Sequence, residues 1–309
     1  LSVPLRSFAA QDPGSWADLL VRAEAAEAAG VDRLVVSDHV AFGERLDAYG
    51  DPSVGGVAGG AQPTGPDGHW LEPLTVLTSV AARTSTIRLA TGILLAGLRR
   101  PVVLAKTAAT LDVLSDGRLD LGVGVGWQRE EYEAAGLDFA ERGRILDDTL
   151  AVCRTLWSNQ RADHRSPLLS FEGIHQMPKP RQAGGVPIWV SGTVNRAVVR
   201  RLVAHGAGWI PWGPDAADLP AGIARMRAAV EGAGGDPLGF GVVGSVPVVR
   251  TAGGEVDVDR TLERVPELVV AGVTDVRISL PVPGGREAAI DALASVVERF
   301  RGLVGRRPR

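Results

Sequence analysis

The chain is expected to fold as a closed (β/α)8 TIM barrel of the α/β class, and three observations carry that expectation. Eight apolar, strand-like runs are each followed by a helical pattern within 309 residues, which suits a closed barrel better than an open sheet. The runs are continuously apolar rather than alternating, as parallel strands covered on both faces should be. A helix-stop glycine leading into an apolar strand also recurs, at Gly30 before Leu34, at Gly206 before Ile210 and at Gly272 before Val276.

The elements follow in order. Residues 2–8 form a short first strand, although Pro4 interrupts it. Ser15 caps a helix with Trp16, Leu19, Leu20, Ala23 and Ala26 on one face, Gly30 closes it, and a strand runs into Asp38. Helix 71–83 leads to strand Ile87–Thr91, and helix Val102–Leu114 to strand Leu119–Val123. A long helical region over Glu130–Trp157 breaks near 136–138, and its stripe of Ile145, Thr149, Val152, Cys153, Leu156 and Trp157 makes Cys153 a core thiol. Strand Pro187–Val190, helix Val194–His205, strand Gly208–Pro211 and helix Asp215–Gly232 come next. Strand Phe240–Val249, helix Val258–Ala271, strand Asp275–Leu280 and helix Arg286–Leu303 complete the set. Two stretches interrupt this single-domain pattern: a Gly- and Pro-rich, lid-like loop at about 41–70 and an irregular insertion at about 158–186.

Composition narrows the function classes. Apolar content of 45% and charged content of 22% are ordinary for a globular protein with a sizeable core. A net charge of −3 gives no electrostatic reason to expect nucleic acid. No run approaches the roughly 18 apolar residues of a membrane span. One cysteine excludes an internal disulfide framework and fits a reducing compartment, so a cytoplasmic setting is the expectation.

In a barrel of this kind the chemistry sits at the C-terminal strand ends. The strand Leu34-Val35-Val36 ends at Asp38 and His39, an acid and an imidazole facing the long loop. This pair suits proton transfer by His39 with Asp38 in a polar contact, a metal site, or a structural hydrogen bond. The other histidines, at 69, 164, 175 and 205, show no paired spacing, so no metal is expected. No GxSxG elbow supplies a nucleophile. Gly122-Val123-Gly124-Val125-Gly126 fails the dinucleotide fingerprint, because Trp127 and Arg129 stand where its last glycine belongs. The alternating glycines leave one strand face bare, either for a flat ligand or for close packing of another backbone. Ser191-Gly192-Thr193, between a strand and a helix, forms either a phosphate cradle or an ordinary helix cap. His69 and Trp70, at the end of the loop, lie within reach of the site.

These stretches together resemble the bacterial luciferase-like monooxygenase superfamily, in particular its actinobacterial F420-dependent oxidoreductase branch. The resemblance rests on Ala29 through His39, Leu89-Ala90-Thr91-Gly92-Ile93, Arg118 through Trp127 with Glu131 and Gly136, Arg142-Gly143-Arg144, and Pro187 through Gly192. It implies a homodimer, a small-molecule substrate, and a flavin or deazaflavin lying across the barrel mouth. By that resemblance His39 and Asp38 flank the reactive ring, with His39 as proton partner and Asp38 touching the ring or positioning His39. Thr91, Gly92 and Ile93 support the far face, through a cis peptide at Gly92–Ile93. Gly124, Gly126, Trp127, Ser191, Gly192 and Thr193 hold the side chain and phosphate. The implied function is F420-dependent hydride transfer to or from a small organic substrate. The alternatives are an FMN-dependent monooxygenase and a flavin- or deazaflavin-binding protein without turnover.

The chain also departs from relatives within the superfamily. The sugar-phosphate dehydrogenases place a tryptophan soon after the Asp-His pair and a glutamate after the glycine strand. Here those places read Val40 to Gly43 and Trp127. The luciferase α subunit has Cys-Arg where this chain has Gly124-Val125, which argues against light emission.

Overall fold

The computed structural model describes residues 1–305. Eight parallel strands close into one barrel: Ser2–Pro4, Arg33–Val36, Arg88–Thr91, Leu119–Val123, Ile188–Gly192, Gly206–Pro211, Gly241–Val246 and Asp275–Ile278. Each strand pairs with its neighbours in sequence, and the last returns to the first through Ser2 opposite Arg277. Outward side chains such as Leu34, Leu89, Leu119 and Ile188 are almost fully buried beneath the surrounding helices. Each contributes about 1.5–3 kcal/mol by leaving water.

The expected elements are present with shifted ends. Helix Ala17–Ala28 starts two residues after Ser15, whose hydroxyl accepts a bond from the Ala17 N–H at 3.2 Å. Gly30 and Gly272 adopt the left-handed conformation (φ 82° and 111°) in which a glycine stop is favoured. Gly206 does not: its φ is −80° and it starts its strand directly. The expected helix 215–232 is two pieces, Pro214–Ala217 and Leu219–Gly232, and Asp218 caps the second by accepting from the Ala221 N–H. The helix 258–271 is likewise divided, into Val258–Leu262 and Val265–Ala271, with Pro266 in the first turn of the second. The stretch 158–186 is not wholly irregular, since Ala162–Arg165 and Ser170–Ile174 pair as an antiparallel ribbon. Cys153 is buried in the core, and burial pushes its thiol up to about 12.

Inside the barrel the lower end is plugged by charge. Arg33 reaches Asp275 at 2.6 Å and Asp120 at 3.0 Å and lies 4.8 Å from the Trp189 ring centroid. Arg88 grips Asp120 with two 2.8 Å bonds. Burial opposes the charge on Arg33, but the two carboxylates outweigh it and raise its pKa. The plug closes the N-terminal end and leaves the C-terminal mouth as the working face. Among the described residues no helix is long and apolar enough to cross a membrane.

Candidate active site

The mouth is built on the peptide joining Gly92 and Ile93, which is cis. Immediately beyond it the chain rejoins the sheet, with the Leu94 N–H donating to the Gly122 carbonyl at 2.6 Å and the Gly124 N–H to Leu94 at 3.2 Å. The alternating glycines make room for this segment. A Cβ on Gly122 would collide with the Thr91 carbonyl, one on Gly124 with the Ile93 side chain, and one on Gly126 would lie 2.8 Å from a Leu95 methyl. The bare face of that strand is therefore filled by the chain itself, which corrects the ligand reading of the glycines in favour of close packing. Thr91 serves the same joint: it is buried, and its hydroxyl donates to the Gly122 carbonyl at 2.7 Å.

Asp38 belongs to this scaffold. Its carboxylate is fully enclosed, takes a two-pronged contact from Arg99 at 2.6 and 3.0 Å, and accepts the Leu95 N–H at 2.8 Å. Arg99 also reaches Glu72 at 2.8 Å. Both Asp38 oxygens are thus taken by the segment after the cis peptide, and neither bonds to His39. The expected Asp38–His39 partnership gives way to an anchoring role for Asp38.

The carboxylate beside His39 is Glu131. It is buried at 2% exposure, and His39 Nδ1 lies 3.4 Å from Oε2. Oε1 accepts the Val40 N–H at 2.5 Å and the Ala41 N–H at 3.4 Å, so one side chain holds both the imidazole and the backbone after it. Glu131 lies on the short helix Arg129–Ala134, whose next-door Glu130 pairs outward with Arg45. In sequence the two glutamates look alike, and only packing separates them. Gln128, also buried, holds the same turn: with its amide oriented to satisfy both groups, it donates to Ala41 and accepts from Gly43.

Aromatic rings wall the imidazole. Phe42, Trp70 and Trp127 have centroids 4.4, 5.0 and 6.0 Å from His39, and Trp70 stacks on Phe8 at 4.2 Å. An aromatic ring within the Val40–Gly43 stretch, Phe42, and one from the end of the loop, Trp70, thus stand beside His39, and its carboxylate neighbour comes from Glu131, four residues past Trp127. The loop 41–70 is docked over the mouth. Tyr49 packs on Trp127 and Trp212 at 5.4 and 6.3 Å, and Trp212 Nε1 donates to the Gly55 and Gly56 carbonyls at 3.1 and 3.3 Å. Burial raises the pKa of the Tyr49 phenol. His69 points outward at the start of the strand carrying Trp70.

Across the mouth, Ser191, Gly192 and Thr193 stand where the expectation placed them, but the adjoining N–H donors are occupied. Buried Asp215 accepts the Val194 N–H at 2.7 Å and is paired with Arg225 at 2.6 Å. Asn195 caps the helix by accepting from Ala197 and Val198, each at 3.0 Å. An anion here would meet the Ser191 and Thr193 hydroxyls beside a carboxylate, and the helix that follows is capped by Asn195, not by Ser191 or Thr193. A flat ring resting on the Gly92–Ile93 segment against the aromatic wall fits the residues present better than a phosphate in this turn does. Among the described residues no three His, Cys, Asp or Glu side chains group to hold a metal ion.

Comparison with known proteins agrees with this architecture. The profile of the luciferase-like monooxygenases matches residues 2–256. An uncharacterized protein of Mycobacterium tuberculosis (strain ATCC 25618 / H37Rv) is 28% identical over 270 residues, covering 84% of each chain. The oxygenase component of the flavin-dependent trigonelline monooxygenase of Acinetobacter baylyi is 32% identical over 121 residues, 38% of this chain and 33% of that one. In fold, the chain is similar to the coenzyme F420-dependent tetrahydromethanopterin reductase of Methanopyrus kandleri. The TM-score is 0.69 at 16% identity, covering 97% of this chain and 98% of that one. The chain belongs to the luciferase-like monooxygenase family, whose members are oxidoreductases or monooxygenases.

Proposed function

We propose that this member of the luciferase-like monooxygenase family is an F420-dependent oxidoreductase that moves a hydride between the deazaflavin and a small organic substrate. The observation that carries the reading is the His39–Glu131 pair at the edge of the mouth. Hydride transfer to a carbonyl, or from an alcohol, needs a group beside the reacting carbon to give or take a proton. His39 Nδ1 faces Glu131, and Nε2 has no hydrogen-bond partner among the described residues, so that nitrogen is free for a ligand. At 3.4 Å the contact is long, as catalytic hydrogen bonds commonly are before the ligand arrives.

When bound, the cofactor supplies the hydride chemistry. The protein's residues do the rest. The Gly92–Ile93 segment, anchored by Asp38 and Arg99, gives the ring a rigid shelf. Phe42, Trp70 and Trp127 enclose His39 and keep water from it. The hydroxyls of Ser191 and Thr193, with Gly192, border the path of the cofactor's side chain. Loop 41–70, docked through Tyr49 and Trp212, closes over the substrate.

An FMN-dependent monooxygenase is the second reading, favoured by the likeness to the trigonelline monooxygenase component. Titrating the protein separately with F420 and FMN, followed by fluorescence quenching, tests the choice. Micromolar F420 binding is expected, whereas micromolar FMN binding without F420 binding would overturn the first reading. A binding protein without turnover predicts that His39→Ala leaves cofactor affinity intact and that no substrate is turned over. Loss of oxidoreductase activity with binding retained removes that alternative. A homodimer and a cytoplasmic location are part of the same proposal, and equilibrium sedimentation tests the former.

A further inference from the structure

Among the described residues, the charged side chains inside the barrel are paired with one exception. Arg33 and Arg88 are held by carboxylates, and Arg99 by Asp38 and Glu72. Arg277 projects inward from the last strand, two residues beyond Asp275 and so nearer the mouth. Its guanidinium makes no hydrogen bond or salt bridge with the described residues, and its Nε is both buried and unpaired. It points at the shelf: a Cβ on Gly92 would lie 3.0 Å from Nη1 of Arg277. Two hydroxyls flank it in register. Ser2 on the first strand is fully buried with its Oγ unpaired, and Ser245 on the seventh is exposed.

A mostly enclosed cation without a partner is costly, because its charge has left water and gained nothing in return. Burial lowers the Arg277 pKa, while Asp275 partly offsets the effect and Arg33 adds to it. The plug has spare arginine but no spare carboxylate, since Asp120 and Asp275 already serve Arg33 and Arg88. Among the described residues no carboxylate is left over for Arg277, which sits toward the mouth.

We infer that Arg277 is the anion-recognising residue of this site, pairing its guanidinium with a carboxylate, phosphate or other anionic oxygen group of the ligand held over Gly92–Ile93. A planar guanidinium matches a two-oxygen anion with two parallel bonds. The anion belongs either to the substrate or to the bound cofactor. The inference rests on the mouth being the site of the proposed reaction, but one arm of its test needs no cofactor.

In that arm, thermal unfolding of the wild-type chain, Arg277→Met and Arg277→Lys is followed with increasing sodium benzoate and, separately, inorganic phosphate. Wild type is expected to show a saturable rise in Tm with at least one of them. Arg277→Met is expected to lose that rise while being at least as stable as wild type without anion. Arg277→Lys should keep a weakened response. Should the methionine variant not fold, Arg277→Gln takes its place. In the second arm, F420 and FMN affinities are measured for the same proteins. A loss of roughly tenfold or more in Arg277→Met assigns the anion to the cofactor, through a charge-assisted pair. Unchanged cofactor affinity with a lost benzoate or phosphate response assigns it to the substrate. The inference is overturned if Arg277→Met matches wild type in both arms. It is also overturned if that variant, or its glutamine counterpart, is markedly less stable with its anion response intact, which would make Arg277 a structural residue. Failure of both cofactors to bind wild type sinks the proposed function instead, and leaves the first arm to decide Arg277.

Discussion

The two oxygens of Asp38 are shared between Arg99, at 2.6 and 3.0 Å, and the Leu95 N–H, at 2.8 Å. This contact ties the end of the second strand to the segment leaving the cis peptide. The carboxylate has no exposure and Arg99 little, so removing Asp38 leaves Arg99 with only the more exposed Glu72 as its partner. Asp38→Ala is expected to cost about 3 kcal/mol in urea unfolding and to weaken cofactor binding through the displaced shelf. Cofactor affinity at the wild-type level in a destabilised Asp38→Ala protein would refute the link between anchor and shelf.

Glu131→Gln tests the partner of His39. Glutamine keeps an oxygen for the Val40 N–H but no longer offers a carboxylate to the imidazole. Turnover is expected to fall by about 10²-fold, the lower range for losing general acid–base catalysis, while F420 affinity stays within about threefold. Glu130→Gln, on the outward face, serves as the comparison and should leave turnover unchanged. Equal effects from the two substitutions would argue against a special role for Glu131.

Gly124→Ala examines the glycine strand. The added methyl meets the Ile93 side chain where the chain rejoins the sheet, and overpacking of this kind costs about 1–3 kcal/mol. The expected result is lower stability together with weaker ring binding. If Gly124→Ala binds the cofactor normally at full stability, the close packing of 93 against 124 is not what requires glycine.

Trp212→Phe removes the Nε1 bonds to Gly55 and Gly56 but keeps an aromatic ring for Tyr49. Faster amide exchange confined to residues 41–70 is expected, with global stability little changed. Exchange that rises equally across the barrel would show that Trp212 supports the fold and not the loop.

Acid sensitivity follows from His205 and Glu27. Burial, reinforced by Arg154, lowers the pKa of His205. The unfolded chain therefore binds a proton there more readily, and stability falls as pH drops through about 6.5. Glu27 is lowered too: burial opposes its charge, but the N–H groups of Thr86, Ile87 and Ser85 outweigh it. Its contribution is present above about pH 4.3 and is lost as pH falls toward the folded value. Urea unfolding from pH 8 to about pH 2.5 should show both declines, with His205→Gln flattening the first and Glu27→Gln the second. A His205→Gln profile superimposable on wild type above pH 5 would remove His205 from this account.

The sequence by itself determined the barrel, because strand runs, helix stops and apolar periodicity are local signals that each element carries alone. It also located the mouth, since strand ends in such a barrel face one way. It showed that Asp38, His39, Gly92 and the glycine strand lie near one another, but not which of them touch. Asp38 turned to Arg99, 61 residues away, and Glu131 reached His39 across 92. Such pairings depend on which face of a short helix packs inward and on which donors are left over once the backbone has been satisfied. Adjacent residues give no sign of either. The same holds for Arg277: in sequence it is one arginine among many, and only the closed barrel surrounds it and leaves it without an acceptor among the described residues.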